Sequence, residues 1–468
     1  MKIVLINLAY KGSKVKSLPL GMALIVYFLR ENGHETLMLD AECSKLGIEE
    51  VYEWCQRNPA DLVAINSTSY SRFDAVDLAR MLKKDGVRWI VLGGHHYSHM
   101  PAETLQQYPF VDFIISGPAE NPLLQLCNVL DKEKAVQYIH GVCYREDGRV
   151  VSIPGSAKDE LKEPERLPFE LFDISSYSTY DELLFLYSDM HRQNIEQGRT
   201  VTYFLSRGCP YNCYFCANVK YWRRVCFRRI DYTICEIASL KEKYGITHFI
   251  MIDPSFTLDR AYTFEFCQRL IQERLDIKFF CSTRVNLIDE SLVDLLVQAG
   301  LNCIQFGIES GSQRVLNGIS KRIRLDDVRE KIQICLKKGL IVKGYFMFGH
   351  PGETEGDILK TINCAKELYN KSEGMFVPVS MFTDIYPGSK LEKIARGNGR
   401  LDKDFSWFER KEYPENKKIN MGWTMVPIYE NQDCKIERIL ELVYKGFPEL
   451  LNKELYKGYD QVSRERHS

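Results

Sequence analysis

The chain has 468 residues, 45% of them hydrophobic and 27% charged, which is ordinary globular material with length for two or three domains. Its 62 Lys and Arg balance 63 Asp and Glu to a net charge of -1, so the basic excess of a nucleic-acid binder is missing. No stretch approaches the roughly 20 apolar residues of a membrane-spanning helix.

The start, Met1-Lys2-Ile3-Val4-Leu5-Ile6 with Lys11, Lys14 and Lys16 after it, reads as a buried first strand. A signal peptide would need a longer apolar region and a cleavage site. A cytoplasmic protein is expected, its fifteen cysteines reduced or ligating metal rather than paired. Ile3 to Leu8 is the first predicted strand, and Gly21 to Asn32 an amphipathic helix stopped by Gly33. Strands follow at Thr36–Leu39, Leu62–Ile65, Trp89–Leu92 and Phe113–Ile115, with a helix at Asp74–Lys84. Continuous apolar strands separated by helices predict a parallel sheet covered on both faces. Ligands of such sheets gather at the carboxyl ends of the strands, and Gly21, Ser67, Thr68, Gly93, Gly94 and Gly117 lie at or just beyond such ends. The dinucleotide fingerprint G-x-G-x-x-G is absent. Val142 to Ile153 alternates about Asp147-Gly148, a hairpin signal, and a polar linker runs from Pro154 to Pro168.

A second alternating region starts near Thr202. Its predicted strands are Tyr203–Leu205, His248–Ile252, Lys278–Ser282, Cys303–Gly307, Val342–Phe348 and Val379–Phe382. Its predicted helices are Asp231–Tyr244, Tyr262–Glu273, Glu290–Ala299, Asp326–Lys338 and Glu355–Tyr369. Such strand–helix units suggest an open parallel barrel, shorter than the full eight-fold one. The pattern is lost after about Gly397, where Phe405, Trp407, Phe408, Tyr413, Trp423 and Tyr429 read as core or as the wall of a pocket.

Just past the first barrel strand stands Arg207-Gly208-Cys209-Pro210-Tyr211-Asn212-Cys213-Tyr214-Phe215-Cys216, a C-x3-C-x2-C spacing. Chance would give it ~0.015 times in a chain of this cysteine content. Three thiolates on one loop can face one metal centre, and thiolates select zinc or iron–sulfur. Structural zinc needs a fourth ligand, and no Cys or His pair follows at the usual spacing. Three ligands suit a cubane cluster with one open iron. The other cysteines, such as Cys127, Cys267, Cys303 and Cys335, lie in apolar segments and read as small buried hydrophobes.

This motif resembles the signature loop of radical S-adenosylmethionine enzymes, with Phe215 as its aromatic residue. The resemblance implies a 4Fe-4S cluster held by Cys209, Cys213 and Cys216. It also implies reductive cleavage of S-adenosylmethionine to a 5′-deoxyadenosyl radical, fed by an external electron donor such as flavodoxin or ferredoxin. Asp253, after strand two, is similar to the family position at the methionine amine. Arg284 follows strand three. Glu309 and Ser310, in Gly307-Ile308-Glu309-Ser310-Gly311, could bond the ribose or the methionine end. Phe348, opening Phe348-Gly349-His350-Pro351-Gly352-Glu353-Thr354, is similar to the adenine-contacting turn, and Tyr386-Pro387-Gly388-Ser389 ends strand six. A lone Asp or Glu after a strand can equally cap the next helix, and Pro-Gly can be a plain turn.

Leu18-Pro19-Leu20-Gly21, Gly93-Gly94-His95-His96 and Ser116-Gly117-Pro118-Ala119-Glu120 resemble the N-terminal cobalamin-binding domain of one large subfamily of these enzymes. Cobalamin contacts are implied at Gly21, Ser67, Thr68, Gly93, Gly94, Gly117 and Glu120, where small residues let a flat corrin near the backbone. Relatives tend to have Gly-Glu-Gly-Glu where this chain has Gly117-Pro118-Ala119-Glu120. The D-x-H-x-x-G motif that gives cobalt a histidine is missing, since Asp189-Met190-His191 lacks the glycine. No protein histidine is therefore expected on cobalt, with His95, His96 and His99 as the local alternatives.

The expected architecture is α/β: a Rossmann-like cobalamin-binding domain (1–135), a hairpin and linker (136–198), a partial (β/α)6 barrel (199–395) and a small α-rich extension (396–468). The expected reaction is C-methylation of an unactivated carbon in a small molecule, with cyclisation or rearrangement on the same architecture as the alternative. An RNA methylthiotransferase would carry a second three-cysteine set, for which Cys43, Cys55 and Cys127 are poorly placed. A non-catalytic cobalamin carrier is the remaining option.

Overall fold

The computed structural model describes residues 1–8, 17–155, 167–177, 198–217, 221–411, 426–432 and 434–450. Two units divide the chain. The first comprises Met1–Tyr177, Ala217–Arg224 and Asp404–Lys411, and the second Ser178–Cys216, Val225–Lys403 and Glu412–Ser468. Among the described residues no helix is long and apolar enough to cross a membrane.

The first unit holds a seven-stranded sheet of β1 (Lys2–Asn7), β2 (Glu35–Asp40), β3 (Leu62–Asn66), β4 (Trp89–Gly93), β5 (Phe113–Ile115), β6 (Val142–Glu146) and β7 (Arg149–Ser152). Its order is β2-β1-β3-β4-β5-β6-β7. The first five strands pair in parallel, and β6 and β7 join antiparallel. The hairpin expected beside a linker thus extends the sheet: Ile114 of β5 registers with Cys143. Along β1, Val4 and Ile6 enter one core and Ile3 and Leu5 the other. Both faces are covered, which explains an unbroken apolar run in place of strict alternation. Helix Leu20–Glu31 packs on the Ile3 side through Met22, Val26 and Leu29, and helix Arg72–Lys84 on the other through Ala75, Leu78 and Leu82. Helices Ile48–Arg57 and Glu120–Asp131 complete the layers without having been foreseen.

The second unit holds six parallel strands: β8 (Arg199–Tyr203), β11 (Ile246–Met251), β12 (Lys278–Thr283), β13 (Leu301–Glu309), β14 (Ile341–Phe348) and β15 (Phe376–Phe382). Each pairs with the next in chain order, and among the described residues β8 and β15 are the edges of an open barrel. Helices Ile230–Tyr244, Arg260–Gln272, Glu290–Gln298, Leu325–Lys337 and Glu355–Asn370 make the crossovers. Between β8 and β11 sits a two-stranded ribbon, β9 (Ser206–Arg207) with β10 (Cys226–Phe227).

Two strands differ from the sequence pattern for identifiable reasons. The first barrel strand, expected at Tyr203–Leu205, begins at Arg199 and stops at Tyr203. The amides of Leu205 and Ser206 donate instead to the Asp253 carboxylate, at 3.1 and 2.6 Å. Strand β15, expected from Val379, begins at Phe376 and runs through Pro378. An edge strand tolerates the missing N–H. In the tail, helix Ile436–Gly446 lies on Glu355–Asn370, with Arg438 bonded to Glu355 at 2.7 Å. Trp407, Phe408 and Tyr429 are packed rather than lining an open wall: Trp407 and Tyr429 are buried, and Phe408 abuts the first unit's core. Tyr413, Trp423 and Asp189-Met190-His191 lie outside the described residues.

Candidate functional site

The cysteine loop leaves the two-stranded ribbon at β9 and returns to it at β10, so both ends are pinned. At the entry, Asp253 accepts from the Leu205 and Ser206 amides and from Ser206 Oγ at 2.6 Å. Burial pushes its carboxyl up to about 6 against these hydrogen bonds. Its carboxylate holds the chain leading to the cysteines, so Asp253 is a positioning residue at the place where a methionine amine contact was expected. At the exit, buried Arg228 bonds Glu236 at 2.9 Å and the Tyr203 hydroxyl at 2.6 Å, while its amide donates to Leu205 O at 2.9 Å. A buried ion pair this well bonded fixes geometry more than it adds stability.

Cys209, Cys213 and Cys216 are half-buried cysteines outside any disulfide. Among the described residues no three His, Cys, Asp or Glu side chains converge as round a single ion. A cubane makes a different demand, because each thiolate takes a different iron and the ligands surround a cluster, not a point. The donor set fits: three thiolates on one loop, with a cation beside them. Arg284 Nη1 stands 3.9 Å from Cys213 Sγ, and its guanidinium lies 3.8 Å over the Tyr211 ring. Arg284 also donates to Lys321 O. Phe215 is half-buried, its ring edge-on to Tyr214 at 5.6 Å.

The carboxyl end of β13 carries Glu309, 6% exposed and at φ +69, a left-handed conformation unusual outside glycine. Lys321 Nζ donates to its Oε1 at 2.6 Å. A Cβ on Gly307 would meet that oxygen at 2.4 Å and Lys321 Nζ at 2.7 Å, so a larger residue there would push the pair aside. Lys321 carried no local signal, because its partner lies twelve residues away across a turn. Ser310 turns inward: its Oγ lies 3.1 Å from Thr361 Oγ1 and accepts from the Ser312 amide at 3.1 Å. It packs the turn on helix Glu355–Asn370 and does not face the barrel mouth. Phe348 is buried, and its carbonyl accepts from the Thr383 amide at 2.9 Å.

The turn after β14 adds polar groups that sequence reasoning passed over. Tyr214, between two of the cysteines, has its hydroxyl 2.9 Å from His350 Nδ1. Among the described residues His350 Nε2 is buried and unpartnered, and burial lowers its pKa to about 4. Glu353 accepts from the Gly349 amide at 2.8 Å and the His350 amide at 3.2 Å through Oε2, while Oε1 is buried without a partner among the described residues. Burial raises its carboxyl from 4.5 to about 7, against those two bonds. A folded pKa above the unfolded one means that folding takes up a proton. The stability gained is complete below about pH 4.5 and is lost as pH rises through about 7. The holoprotein should therefore lose about 1–3 kcal/mol between roughly pH 5 and 8 by this group, and Glu353→Gln should flatten that slope. Anaerobic melts across this range check it, and identical slopes in the two proteins would contradict it.

In the first unit the strand ends meet in a polar row. Asn66 Nδ2 donates to Asn7 Oδ1 at 3.0 Å, Asn7 Nδ2 to Asp40 Oδ1 at 2.9 Å, and the Tyr177 hydroxyl to Asp40 Oδ2 at 2.6 Å. Gly21 is exposed, and among the described residues a Cβ there would meet nothing within 4 Å, while one on Gly93 would meet Ile115 O at 3.8 Å. Both leave open space for a flat ligand. Gly94 differs: at φ +92, its Cβ would strike Ser67 O at 2.3 Å, so its smallness serves the loop's own packing. Ser67 is buried, donating to Thr68 O at 3.0 Å, and Thr68 is half-buried with its amide on Ser71 Oγ at 3.2 Å. A Cβ on Gly117 would meet the Tyr221 ring at 3.2 Å, and Glu120 is buried at the start of its helix. His96 is buried with Nδ1 3.0 Å from Ser69 Oγ. The rings of His95 and His99 neighbour Trp222 at 6.3 Å and Tyr221 at 5.4 Å.

Two family models match: the radical SAM superfamily over residues 203–365 and the B12 binding domain over residues 8–127. An uncharacterized methyltransferase of Pyrococcus horikoshii is 26% identical over 455 residues, which cover 94% of this chain and 90% of that protein. The anaerobic magnesium-protoporphyrin IX monomethyl ester cyclase of Rubrivivax gelatinosus is 27% identical over 75% of this chain, and the chain spans 62% of its length. The solved structure of the radical S-adenosylmethionine methyltransferase TsrM from Kitasatospora setae, with cobalamin and a 4Fe-4S cluster bound, superposes with a TM-score of 0.66 at 18% identity. The match covers 84% of this chain and 75% of that one, a likeness of fold.

Proposed function

The chain belongs to the radical S-adenosylmethionine enzymes that carry a cobalamin-binding domain, and on that premise we propose that it methylates an unactivated carbon of a small molecule. The observation that carries methyl transfer is the likeness to a methyltransferase along 94% of the chain. When bound, the cluster supplies the electron that cleaves S-adenosylmethionine, and cobalamin supplies the methyl group. Cys209, Cys213 and Cys216 would hold the cluster, with Arg284 bracing the thiolate of Cys213. Glu309 would accept from the ribose hydroxyls or the methionine ammonium, and Phe348 would back the adenine. Gly21 and Gly93 would admit the corrin or its nucleotide tail, with no protein histidine on cobalt. His96 is buried, its ring edge-on to Trp407 at 5.7 Å. An external flavodoxin or ferredoxin would supply electrons.

Cyclisation is the second reading, favoured by the cyclase likeness over 75% of the chain. The methylthiotransferase reading weakens: Cys55 and Cys127 lie in the cores on opposite faces of the sheet and share no cluster site. The test incubates the anaerobic holoenzyme with methyl-labelled S-adenosylmethionine and fractionated metabolite extract. Label in a product together with 5′-deoxyadenosine supports methylation. 5′-Deoxyadenosine with an altered but unlabelled product supports cyclisation. Gly93→Val should put a branched side chain into the open space and weaken cobalamin binding at least tenfold, read by corrin absorbance after dialysis. Unchanged retention would remove Gly93 from the site.

A further inference from the structure

The loop that carries the three cysteines is held at its ends by Asp253 and Arg228. Its middle is held as well, through Tyr214, which stands between Cys213 and Cys216 and is 4% exposed. The Tyr214 carbonyl accepts from the Leu391 amide at 3.0 Å, and the Tyr214 amide donates to Ile319 O at 3.5 Å. Leu391 lies in the first turn of helix Lys390–Gly397, which follows β15. Ile319 closes helix Gln313–Gly318, which follows β13. Helix ends leave amides and carbonyls without partners inside the helix, so this one loop residue completes two ends.

The side chain reaches the strand between them. The Tyr214 hydroxyl lies 2.9 Å from His350 Nδ1 in the turn after β14, with the two rings 6.0 Å apart. His350 is fully buried, and its backbone is fixed on both sides. Its amide donates to Glu353 Oε2 at 3.2 Å, and its carbonyl accepts from Asn431 Nδ2 at 2.6 Å. Asn431 Oδ1 accepts in turn from the Gly352 amide at 3.1 Å. The imidazole is therefore a rigid partner for a phenol that burial would otherwise leave unsatisfied. Its ring also lies in the field of the Glu309 carboxylate at the end of β13. Phenylalanine would fill the space of Tyr214 equally well, so what the hydroxyl adds is this bond.

We infer that His350 is a positioning residue for S-adenosylmethionine cleavage, setting the middle of the cysteine loop against the ends of β13 and β14 through the Tyr214 hydroxyl. Tyr214 adjoins Cys213 and stands two residues before Cys216, so a shift of its backbone moves two of the three thiolates. The pinned ends of the loop do not prevent such a shift. A misplacement of about 1 Å at a reacting centre can cost ~100-fold in rate. This inference rests on the radical-enzyme reading above, because it assumes that the loop carries the cluster.

The experiment uses the anaerobic holoenzyme, reduced with dithionite, and reads 5′-deoxyadenosine formation, iron content and the paramagnetic resonance of the reduced cluster with S-adenosylmethionine. Tyr214→Phe and His350→Leu should each keep the iron, lower kcat at least about fivefold and leave KM within about twofold. Each should also change the resonance of the cluster with S-adenosylmethionine bound. His350→Asn, which keeps a polar atom near the place of Nδ1, should restore both readings. Tyr214→Phe combined with His350→Leu should cost no more than the worse single change, because both break one bond. A smaller fall in kcat, a loss carried by KM, loss of iron or an unchanged resonance in either variant would overturn the inference. Additive losses in the double variant would overturn it too, as would a His350→Asn protein as impaired as His350→Leu. Absence of S-adenosylmethionine cleavage by the wild type would instead fell the underlying reading.

Discussion

Replacing Cys213 by Ala should strip the cluster and bring 5′-deoxyadenosine formation to background. Cys213 is the middle thiolate of the three and the one beside Arg284, at 3.9 Å. Two remaining thiolates cannot hold a cubane that already lacks a fourth protein ligand. The loop itself should survive, because its ends are fixed elsewhere: by Asp253 on Leu205 and Ser206, and by Arg228 on Glu236 and Tyr203. A control separates ligand loss from damage to the fold. Cys267 is fully buried in helix Arg260–Gln272, and burial pushes its thiol up to about 12, as suits an inert core residue. Cys267→Ala should cost about 1 kcal/mol of stability for the small cavity and leave the iron in place. Iron analysis and product chromatography on both variants read the difference. Full cluster and activity in Cys213→Ala would defeat the assignment.

Glu309→Gln should weaken S-adenosylmethionine binding by about one to two orders of magnitude, the worth of a charge-assisted hydrogen bond. The helix-cap alternative is removed by the structure, because helix Gln313–Gly318 begins behind Ser312 and not Glu309. The Lys321 pair supplies a different structural role. Both partners are buried, so neutralising Glu309 strands an ammonium and should cost about 3–5 kcal/mol of stability. A second substitution separates the two effects. Glu309→Gln with Lys321→Met removes the stranded charge and should recover much of the stability while affinity stays low. Affinity that stays at the wild-type level while the melting temperature falls would leave Glu309 as half of a structural pair and take it out of the site.

What could be read from the chain and what could not follows from the range of the interactions. Apolar runs such as Ile3–Leu8 and Cys303–Gly307 foretell strands because the pattern is local. The three cysteines are legible for the same reason, being within eight residues of one another. Glu309 was located, but its Lys321 partner was not, since that pairing depends on how the turn after β13 folds back. Asp253 and Ser310 sit where expected in sequence, yet their polar atoms turn to Leu205–Ser206 and to Thr361, choices that only packing decides. The two stretches Ala217–Arg224 and Asp404–Lys411 belong with the first unit although their neighbours in sequence belong with the second. There Trp407 edges His96 at 5.7 Å and Arg410 pairs with Asp77. No periodicity announces such a crossing.

The central claim is that one chain holds an iron–sulfur cluster and cobalamin together. Metal analysis of the full chain, reconstituted anaerobically with iron, sulfide and cobalamin and then desalted, tests it most directly. The expected result is about four irons and about one cobalt per chain, with the iron lost in Cys213→Ala and the cobalt retained. Cobalt without iron would make the protein a carrier, and iron without cobalt would remove methyl transfer by cobalamin; each contradicts the account.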